Sequence, residues 1–260
     1  MTVRVAVLGA GGRMGSAVCQ AVAGDPELAL VAAVDPHHAG TPAGAGVAVA
    51  AGVEAVAEAG AQVAVHFTLA DAARENLRWC AAHGVHSVVG TTGLGTEDLA
   101  ELAALHPGGG AGPNCLVAPN FAIGAVLMMR FAELAAPFFE TAEVIELHHD
   151  GKADAPSGTA LATAERMAAA SADWAGDPTV KAVLAGARGG RGAGGIPVHS
   201  VRLRGLVAHQ EVLLGTTGQT LSIRHDTTDR SCFMPGVLLA VKAVGRRPGL
   251  TVGLDALVLP

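Results

Sequence analysis

Tyrosine is absent from this sequence, and other aromatic and charged residues are scarce. Of its 260 residues, 3% are aromatic and 15% are charged, whereas 50% are hydrophobic. A chain with so little charge and so much apolar content does not belong to the disordered class. Its core must be packed from aliphatic side chains, and its length suits one large domain or two smaller ones.

An excess of positive charge is also lacking. The 17 lysines and arginines are outnumbered by 23 aspartates and glutamates, which gives a formal net charge of -6. Domains that bind nucleic acids usually present a basic surface to the phosphate backbone. We therefore expect no nucleic-acid partner.

No hydrophobic segment of this sequence is suited to a membrane. The uncharged run from Leu102 to Met129 is long enough to span a bilayer, but it contains "HPGGGAGPN" and "APN", which break helices. Met1 is followed at once by the strand-like "TVRVAVLG", which predicts no secretory leader. We expect neither membrane insertion nor export.

Closely spaced cysteines are missing as well. The chain has 4 cysteines and no CxxC motif; they are Cys19, Cys80, Cys115 and Cys232. Scattered single cysteines are typical of reduced, buried thiols rather than of a disulfide framework. This pattern predicts a cytoplasmic protein.

The first half of the chain alternates between strand and helix patterns. Short apolar runs such as "VRVAVLG", "LALVAAVD", "AQVAVHFT" and "CLVAPNF" are separated by helical patterns such as "RMGSAVCQAV" and "ADAARENLRWCAAHG". This alternation predicts the α/β class, with a Rossmann-type doubly wound parallel sheet over residues 1–118. Ligands of such sheets bind beyond the carboxyl ends of the strands.

A glycine-rich turn, "GAGGRMG", follows the first strand and precedes a helix. Its spacing is Gly9-x-x-Gly12-x-x-Gly15, which departs from a strict GxGxxG. Asp35 ends the second strand, about 20 residues further on, where a ribose-binding carboxylate is expected. The pattern predicts a dinucleotide whose pyrophosphate binds at the helix start. The alternatives are an ordinary glycine-rich turn and a turn-forming aspartate before Pro36.

The residues around Asp35 bear on the choice of cofactor. Asp35 is followed by Pro36, His37 and His38, and no arginine is nearby in the sequence. A carboxylate favours a ribose with a free 2′-hydroxyl, whereas a 2′-phosphate calls for an arginine. Arg13 in the glycine-rich turn could supply that charge, or it could simply be solvated. We expect NADH to be slightly favoured over NADPH.

The second half of the chain predicts a different domain, over residues 119–228. "FAIGAVLMMRFAELAAPFF" and "SGTALATAERMAAASADWA" have helical patterns, and "TAEVIELHHD", "IPVHSVRLRG", "HQEVLLGT" and "QTLSIRHD" predict strands, the last two forming a hairpin. The glycine-rich residues 186–195 form a flexible loop, which is either a lid or hinge or only a linker. Residues 229–260 predict a helix and a short strand, "TVGLDALVL", that pack back against the first domain.

The stretch "IELHHDGKADAPSGTA", residues 145–160, gathers His148, His149 and Lys152. Strand alternation points the two histidines to opposite faces, and no other ligands cluster nearby, so we expect no metal site. A histidine can shuttle a proton, and a lysine can donate one or hold an anion. The N–H groups of Gly158 and Thr159 open a helix, which suits a bound carboxylate. Alternatively, the loop is solvated and "PSGT" only caps the helix.

This stretch closely resembles the signature of the 4-hydroxy-tetrahydrodipicolinate reductase (dihydrodipicolinate reductase) family of lysine and diaminopimelate biosynthesis. "GAGGRMG", "HFT", "GTTG", "APNFAIG", "GAR" and "FMPGVLLAVKAV" fall in the family's order along the whole chain. The resemblance implies NAD(P)H-dependent reduction of a cyclic dicarboxylate, 4-hydroxy-tetrahydrodipicolinate, by way of dihydrodipicolinate, to tetrahydrodipicolinate with loss of water. It also implies an α+β substrate domain whose open mixed sheet builds a homotetramer.

The resemblance further implies roles for individual residues. His148 would donate or accept a proton, Lys152 would donate one, and the substrate carboxylates would be held by His149, Gly158 and Thr159. The cofactor would be lined by Gly9, Ala10, Gly11, Gly12, Arg13, Met14, Asp35, Phe67, Gly90, Thr91, Thr92, Ala118, Pro119, Asn120 and Phe121.

Two positions depart from the family pattern. Gly151 stands before Lys152 where a basic or polar residue is common, and His66 stands where an aspartate usually precedes Phe-Thr. Gly151 could loosen the loop, and His66 could alter the cofactor contacts.

Two other functions fit parts of the sequence. One is another two-domain NAD(P)-dependent reductase, such as an aspartate or a semialdehyde dehydrogenase. A semialdehyde dehydrogenase needs a catalytic cysteine, and neither Cys115 nor Cys232 has a suitable setting. The other function is a nucleotide-sensing regulator, which would need a DNA-binding helix pair or a basic face that the sequence does not show.

Overall fold

The computed structural model describes residues 2–110 and 112–259. It divides the chain into two compact units. Unit 1 runs up to Ile123 and resumes at Phe233, and unit 2 is Gly124–Cys232.

The strands and helices are numbered in chain order. The strands are β1 (Val3–Leu8), β2 (Leu28–Val34), β3 (Pro42–Gly44), β4 (Val47–Ala50), β5 (Val63–His66), β6 (His86–Val89), β7 (Cys115–Val117), β8 (Thr141–His148), β9 (Gly190–Arg191), β10 (Pro197–Arg202), β11 (Ala208–Thr216), β12 (Gln219–Thr227) and β13 (Leu250–Val252). The helices are α1 (Arg13–Gly24), α2 (Glu54–Glu58), α3 (Ala70–Ala82), α4 (Thr96–Leu105), α5 (Ile123–Ala135), α6 (Gly158–Ala170), α7 (Met234–Val244) and α8 (Asp255–Val258). Short 3-10 turns cover Ala136–Phe138, Ala193–Gly195 and Arg230–Phe233.

Unit 1 contains the predicted doubly wound sheet. Its 8 strands lie in the order β13-β7-β6-β5-β1-β2-β4-β3, and all neighbours are parallel except β3 and β4. Val5, Ala6, Val7 and Leu8 of β1 are all fully buried, as expected for a central strand covered by helices on both faces. The chain reverses its direction of progress across the sheet at β1, and ligands of such sheets bind beyond that point.

The end of the chain differs from the sequence prediction. Instead of one strand over "TVGLDALVL", strand β13 is short, and helix α8 follows it. Gly253 has a φ of 86°, a left-handed conformation that ends the strand and favours glycine, and its N–H donates to Val117 O at 2.8 Å. Strands β3 and β4 and helix α2, which the sequence patterns did not predict, complete unit 1.

Unit 2 is built on the expected open mixed sheet. Its 5 strands lie in the order β12-β11-β8-β10-β9; β8 and β10 are parallel, and the other pairs are antiparallel. Alternate residues of the central strands face helix α6 and form an aliphatic core; they include Ala142, Val144, Val198, Val212 and Leu214, packed with Ala160, Ala164 and Met167. Because successive side chains of a strand point to opposite faces, every second residue of β8 faces α6.

The glycine-rich residues 186–195 are not wholly a loop. Gly190 and Arg191 form β9, which pairs with the start of β10. A Cβ on Gly189, which has a φ of 68°, would lie 2.5 Å from Val198 O. Glycine therefore allows the close backbone approach that this pairing needs.

Three further observations concern the expected classes of site. No described helix has the length and apolar character needed to cross a bilayer. Within the described residues, no group of three or more His, Cys, Asp or Glu is placed to hold a metal ion. The cysteines are unpaired thiols, and burial raises the pKa of Cys19 to about 11 and those of Cys80 and Cys115 to about 12.

Candidate active site

In unit 1, the predicted cofactor residues follow the carboxyl ends of neighbouring strands. Gly9 follows β1 with a φ of 81°, and a Cβ there would lie 2.2 Å from Phe67 O. A Cβ on Gly15 would lie 2.0 Å from Gly9 O. Glycine is therefore required at both positions, because the turn packs directly on helix α1 and on the end of β5.

Helix α1 begins beside this turn without the usual side-chain cap. Gly12 is its N-cap residue, and within the described chain no side chain caps the helix and no acidic residue lies in its first turn. The positive end of the helix dipole is therefore not neutralised locally by the protein's own side chains. The arrangement of Ala10, Gly11, Arg13 and Met14 around this helix start suits a pyrophosphate.

Asp35 lies just beyond β2 and is largely buried. Its carboxylate accepts hydrogen bonds from Gly11 N–H at 3.1 Å and His37 N–H at 3.0 Å, and its Oδ1 lies 3.1 Å from His38 Nδ1. Burial acts to raise the pKa of Asp35, but the hydrogen bonds from His38, His37 and Gly11 outweigh it and lower the pKa. Asp35 is therefore ionised at neutral pH, next to the glycine-rich turn.

The remaining predicted cofactor residues follow β5, β6 and β7. The Phe67 ring lies against Gly90, where a Cβ would be 2.2 Å from a ring carbon, and its centroid is 5.9 Å from that of Phe121. Thr91 Oγ1 accepts a hydrogen bond from Thr68 N–H at 3.1 Å. Thr92, Ala118, Pro119 and Asn120 lie at the same edge, and Asn120 Oδ1 accepts from Ala122 N–H at 2.9 Å. The fold of unit 1 thus gathers all the residues that were expected to bind the cofactor.

His66, the departure from the family pattern that could alter the cofactor contacts, is buried in the sheet of unit 1. It ends β5 between Leu8 of β1 and Val89 of β6, and it has no exposed surface. Among the described residues, neither ring nitrogen of His66 has a hydrogen-bond partner. Burial lowers the pKa of His66 to about 3. It is a neutral core residue.

In unit 2, strand β8 ends at His148, on the face that packs against α6. Glu146 lies two residues earlier on the same face and has no exposed surface. Its Oε2 is 2.5 Å from His148 Nδ1. Burial lowers the pKa of His148, although Glu146 acts to raise it, so the imidazole is neutral at pH 7. Because the carboxylate accepts from Nδ1–H, Nε2 carries the lone pair.

Arg202 of β10 completes this cluster. It lies directly opposite His148 in the parallel β8–β10 pairing. Its two terminal nitrogens donate to the two oxygens of Glu146, each at 2.8 Å. Burial acts to raise the pKa of Glu146, but the hydrogen bonds, above all those from Arg202, lower it. Glu146 is therefore a buried carboxylate that remains ionised.

The loop after β8 carries Lys152. Its Nζ is 2.7 Å and 2.8 Å from the two carboxylate oxygens of Asp154, and this hydrogen bond lowers the pKa of Asp154. Lys152 N–H also donates to His149 O at 3.2 Å, which closes a turn. A Cβ on Gly151 would lie 3.3 Å from His149 Nδ1, so the glycine leaves room for that ring.

Helix α6 begins immediately after this loop. Ser157 is its N-cap, and its hydroxyl accepts from Ala160 N–H at 3.2 Å. Gly158 and Thr159 are the first two residues of the helix, and open space lies where Gly158 would carry a Cβ. The helix start thus presents backbone N–H groups and a positive dipole end beside the loop of Lys152.

Sequence reasoning missed Glu146 and Arg202. Glu146 could have been found, because residues two apart on a strand share a face, and Glu146 and His148 are two apart. Arg202 lies 56 positions from Glu146, and its partnership depends on the pairing of β8 with β10, which no local pattern reveals. Together, these side chains provide a neutral imidazole, a lysine and a helix start in one short region, which suits proton transfer to a bound anion.

Known protein families match almost the whole chain. Residues 3–121 match a family described as dihydrodipicolinate reductase, N-terminus, and residues 124–258 match dihydrodipicolinate reductase, C-terminus. The 4-hydroxy-tetrahydrodipicolinate reductase of Nocardia farcinica is 52% identical over 260 residues, covering 98% of both chains. That of Streptomyces coelicolor is 51% identical over 257 residues, covering 97% of this chain and 96% of the relative.

Solved structures show the same likeness. A dipicolinate-bound dihydrodipicolinate reductase from Paenisporosarcina sp. TG-14 superposes with a TM-score of 0.86 and 39% identity, covering 98% of this chain and 99% of that one. An amine dehydrogenase from Mycobacterium smegmatis superposes with a TM-score of 0.67 at 16% identity, covering 98% of this chain and 96% of that one, a likeness of fold alone.

Proposed function

This chain belongs to the dihydrodipicolinate reductase family, and from that premise we propose how its residues carry out the reaction. The protein is an oxidoreductase that uses a nicotinamide cofactor and acts in lysine biosynthesis through the diaminopimelate pathway. Its substrate is the cyclic dicarboxylate 4-hydroxy-tetrahydrodipicolinate. Loss of water gives an α,β-unsaturated imine, which takes up a hydride at C4 and a proton to become tetrahydrodipicolinate.

The residues of unit 1 fit a nicotinamide dinucleotide. The close approaches at Gly9 and Gly15 and the start of helix α1, which has no side-chain cap, suit the pyrophosphate. When bound, the nicotinamide supplies the hydride. Asp35 is ionised and would accept a hydrogen bond from the adenosine ribose, while Phe67 and Phe121 would provide apolar contacts. The other predicted residues, Ala10 to Met14, Gly90 to Thr92 and Ala118 to Asn120, would line the same site.

We propose NADH as the slightly favoured cofactor. A carboxylate at Asp35 repels a 2′-phosphate, and the side chain paired with it, 3.1 Å away, is His38 and not an arginine. Arg13 is exposed and would reduce that repulsion, which supports tolerance of NADPH.

In unit 2, His148 and Lys152 are the groups that we propose for proton transfer. The hydrogen bond from His148 to Glu146 leaves Nε2 as the atom that exchanges protons with solvent or substrate. The ammonium group of Lys152 has three N–H donors. It is paired with the exposed Asp154, and a substrate carboxylate can replace this contact. A proton delivered by these groups neutralises the negative charge that the hydride brings to the ring.

The substrate carboxylates would be held by the start of helix α6 together with His149. The N–H groups of Gly158 and Thr159 and the dipole of α6 favour an anion there, and Lys152 adds a point charge from the preceding loop. The Paenisporosarcina relative was solved with dipicolinate, a flat dicarboxylate that resembles the substrate in its charge. We propose that dipicolinate binds this chain at the same residues.

The open face of the unit 2 sheet supports the proposal of a homotetramer. Strand alternation places Ile145 and Leu147 on the face opposite α6, and Val201 and Leu213 of the neighbouring strands share that face. All four side chains are partly exposed. Light scattering should give a tetramer, and Leu213→Lys should dissociate it; a wild-type monomer would contradict the proposal. Reduced, buried thiols and use of NAD(P)H also support a cytoplasmic location.

The observation that carries the proposed function is the grouping of His148, Lys152 and the start of α6 within one short segment of unit 2. The test is a coupled assay in which a synthase supplies the hydroxylated substrate and either NADH or NADPH is oxidised. Oxidation that depends on the synthase product is expected with both cofactors. Its absence with both would contradict the function.

A further inference from the structure

Glu146 is a buried carboxylate with an unusually complete set of donors. Its two oxygens receive hydrogen bonds from His148 Nδ1 at 2.5 Å, twice from Arg202 at 2.8 Å, and from Ser157 N–H at 3.2 Å, and the Ser200 side chain adds another. A buried charge is tolerated only when it is paired and hydrogen-bonded in this way. The donors come from the end of β8, from β10 and from the residue that caps helix α6.

The contacts of Glu146 with His148 and with Arg202 bear on the histidine. The carboxylate fixes Nδ1 as the protonated nitrogen, turns the ring, and stabilises the charged imidazolium. Burial lowers the pKa of His148, Glu146 acts to raise it, and the nearby charge of Arg202, which is bidentate to Glu146, acts with burial to lower it.

Two further hydrogen bonds, one to Glu146 and one from Arg202, act on the loop. Ser157, which caps helix α6, donates its N–H to Glu146, and Arg202 also donates to Asp154 O at 2.6 Å. The loop that carries Lys152 and the start of helix α6 are therefore tied to the same buried pair as the histidine.

We propose that Glu146, salt-bridged to Arg202, is a positioning residue that sets the tautomer and orientation of His148 and fixes the start of helix α6 relative to it. This inference rests on the proposed role of His148 in proton transfer. It assigns to Glu146 no contact with the substrate, so its effect is transmitted through the imidazole and the loop.

Strand β8 offers a matched control on its opposite face. Glu143 also accepts from a histidine, His199 Nε2 at 2.6 Å, and from an arginine, Arg188. Glu143→Gln removes the same kind of carboxylate from the same strand, away from the proposed site. Glu146→Gln keeps the shape of the side chain but leaves the guanidinium of Arg202 without the carboxylate that balances its charge, so the double variant Glu146→Gln/Arg202→Met is needed to remove both charges.

The experiment combines three measurements on these variants. Nitrogen-15 NMR of the His148 imidazole, assigned with a His148→Gln variant, reports its tautomer and pKa. The pH dependence of kcat/KM reports the same group in turnover, and calorimetry reports dipicolinate affinity. Circular dichroism and light scattering verify the fold and oligomeric state of each variant.

We expect Glu146→Gln and the double variant to lose at least about tenfold in kcat, a part of the hundredfold to ten-thousandfold typical of general acid–base catalysis. The His148 titration and the matching limb of the pH profile should move to lower pH, because the carboxylate that favours the charged ring is gone. Glu143→Gln should leave both unchanged. Dipicolinate should bind the double variant more weakly than wild type, because Arg202 no longer holds the loop at Asp154 O and the glutamine offers only one oxygen to the N–H groups of Ser157 and His148.

Two results would overturn the inference: a double variant with at least half of the wild-type kcat, or an unchanged His148 tautomer and titration in Glu146→Gln. Failure of the proposed function gives a different outcome. If wild type does not reduce the substrate, or His148→Gln turns over normally, the catalytic role of His148 is wrong. The NMR measurement then still decides whether Glu146 sets the state of the imidazole.

Discussion

The most direct consequence of the buried histidine in unit 1 is a pH-dependent loss of stability. His66 is fully buried, and burial lowers its pKa to about 3, against an ordinary value of 6.5. The folded state therefore keeps His66 neutral, whereas the unfolded chain takes up a proton as the pH falls below 6.5. The stability of unit 1 is full above that pH and declines as the pH falls toward 3.

The size of the effect follows from the two pKa values. One pKa unit corresponds to about 1.4 kcal/mol, and between pH 7 and pH 5 the unfolded histidine goes from mostly neutral to almost fully protonated. The loss over that interval is about 2 kcal/mol. This loss of stability barely changes if the pKa of His66 in the folded state is one unit higher, because pH 5 is still above that pKa.

The test compares wild type with His66→Leu, a residue of similar volume that cannot titrate. Unit 1 contains Trp79 and unit 2 contains Trp174, so Trp174→Phe leaves a single fluorophore that reports on unit 1. Urea unfolding at pH 7 and pH 5 gives the free energy of unfolding of both proteins. Wild type should lose about 2 kcal/mol more than His66→Leu over this interval.

All other groups are the same in both proteins, so their contributions cancel in the comparison. At pH 7, His66→Leu should also be more stable by about 1–3 kcal/mol, because it removes ring nitrogens that have no partner within the described chain. The size of this gain in stability at pH 7 depends on how well leucine packs in place of the imidazole. Equal losses in the two proteins between pH 7 and pH 5 would show that His66 is not a neutral buried group, and the reasoning would fail.

Three further predictions concern the proposed site. Lys152→Ala should lower kcat about a hundredfold to ten-thousandfold with cofactor affinity retained; normal turnover would remove Lys152 from the mechanism. Gly158→Pro deletes one N–H at a helix position that tolerates proline and should weaken dipicolinate by about 1.5–3 kcal/mol in calorimetry. Gly158→Ala keeps the N–H and enters open space, so equal affinity of the two variants would place the carboxylate elsewhere. In steady-state assays NADH should perform at least comparably to NADPH; an NADPH preference above about a hundredfold, or 2.7 kcal/mol, would contradict the role of Asp35.

The fold of unit 1 was largely predictable because its central strands are buried on both faces. Such strands appear as continuous apolar runs, and helical patterns between them leave few arrangements other than a doubly wound sheet. Strands β3 and β4 lie in "TPAGAGVAVAAG", where glycine and alanine give no usable periodicity. The break between β13 and α8 depends on the left-handed Gly253, which the apolar pattern of "TVGLDALVL" does not show.

The proposed site was predictable where its residues are local. His148, Lys152 and Gly158 lie within one short segment, and their chemistry is evident from the residue types. The lowered pKa of His148 was not predictable, because it depends on burial and on the charges of Glu146, Lys152 and Arg202 around it. His66 shows the same limit, since the sequence places it at a strand end but not beneath the surface.

The two glutamates of β8 place similar ion pairs in different degrees of burial. Glu143 and Glu146 each bind one histidine and one arginine, yet the Glu143 side chain is 27% exposed and the Glu146 side chain has no exposed surface. Water screens a partly exposed pair, whose contribution to stability is typically about 0–1 kcal/mol. In the buried cluster screening is weak, so the protonation of His148 is coupled strongly to Glu146 and Arg202. Strand alternation therefore puts similar residues in two environments, and on the face toward α6 the buried carboxylate of Glu146 binds His148 Nδ1 close to the start of that helix.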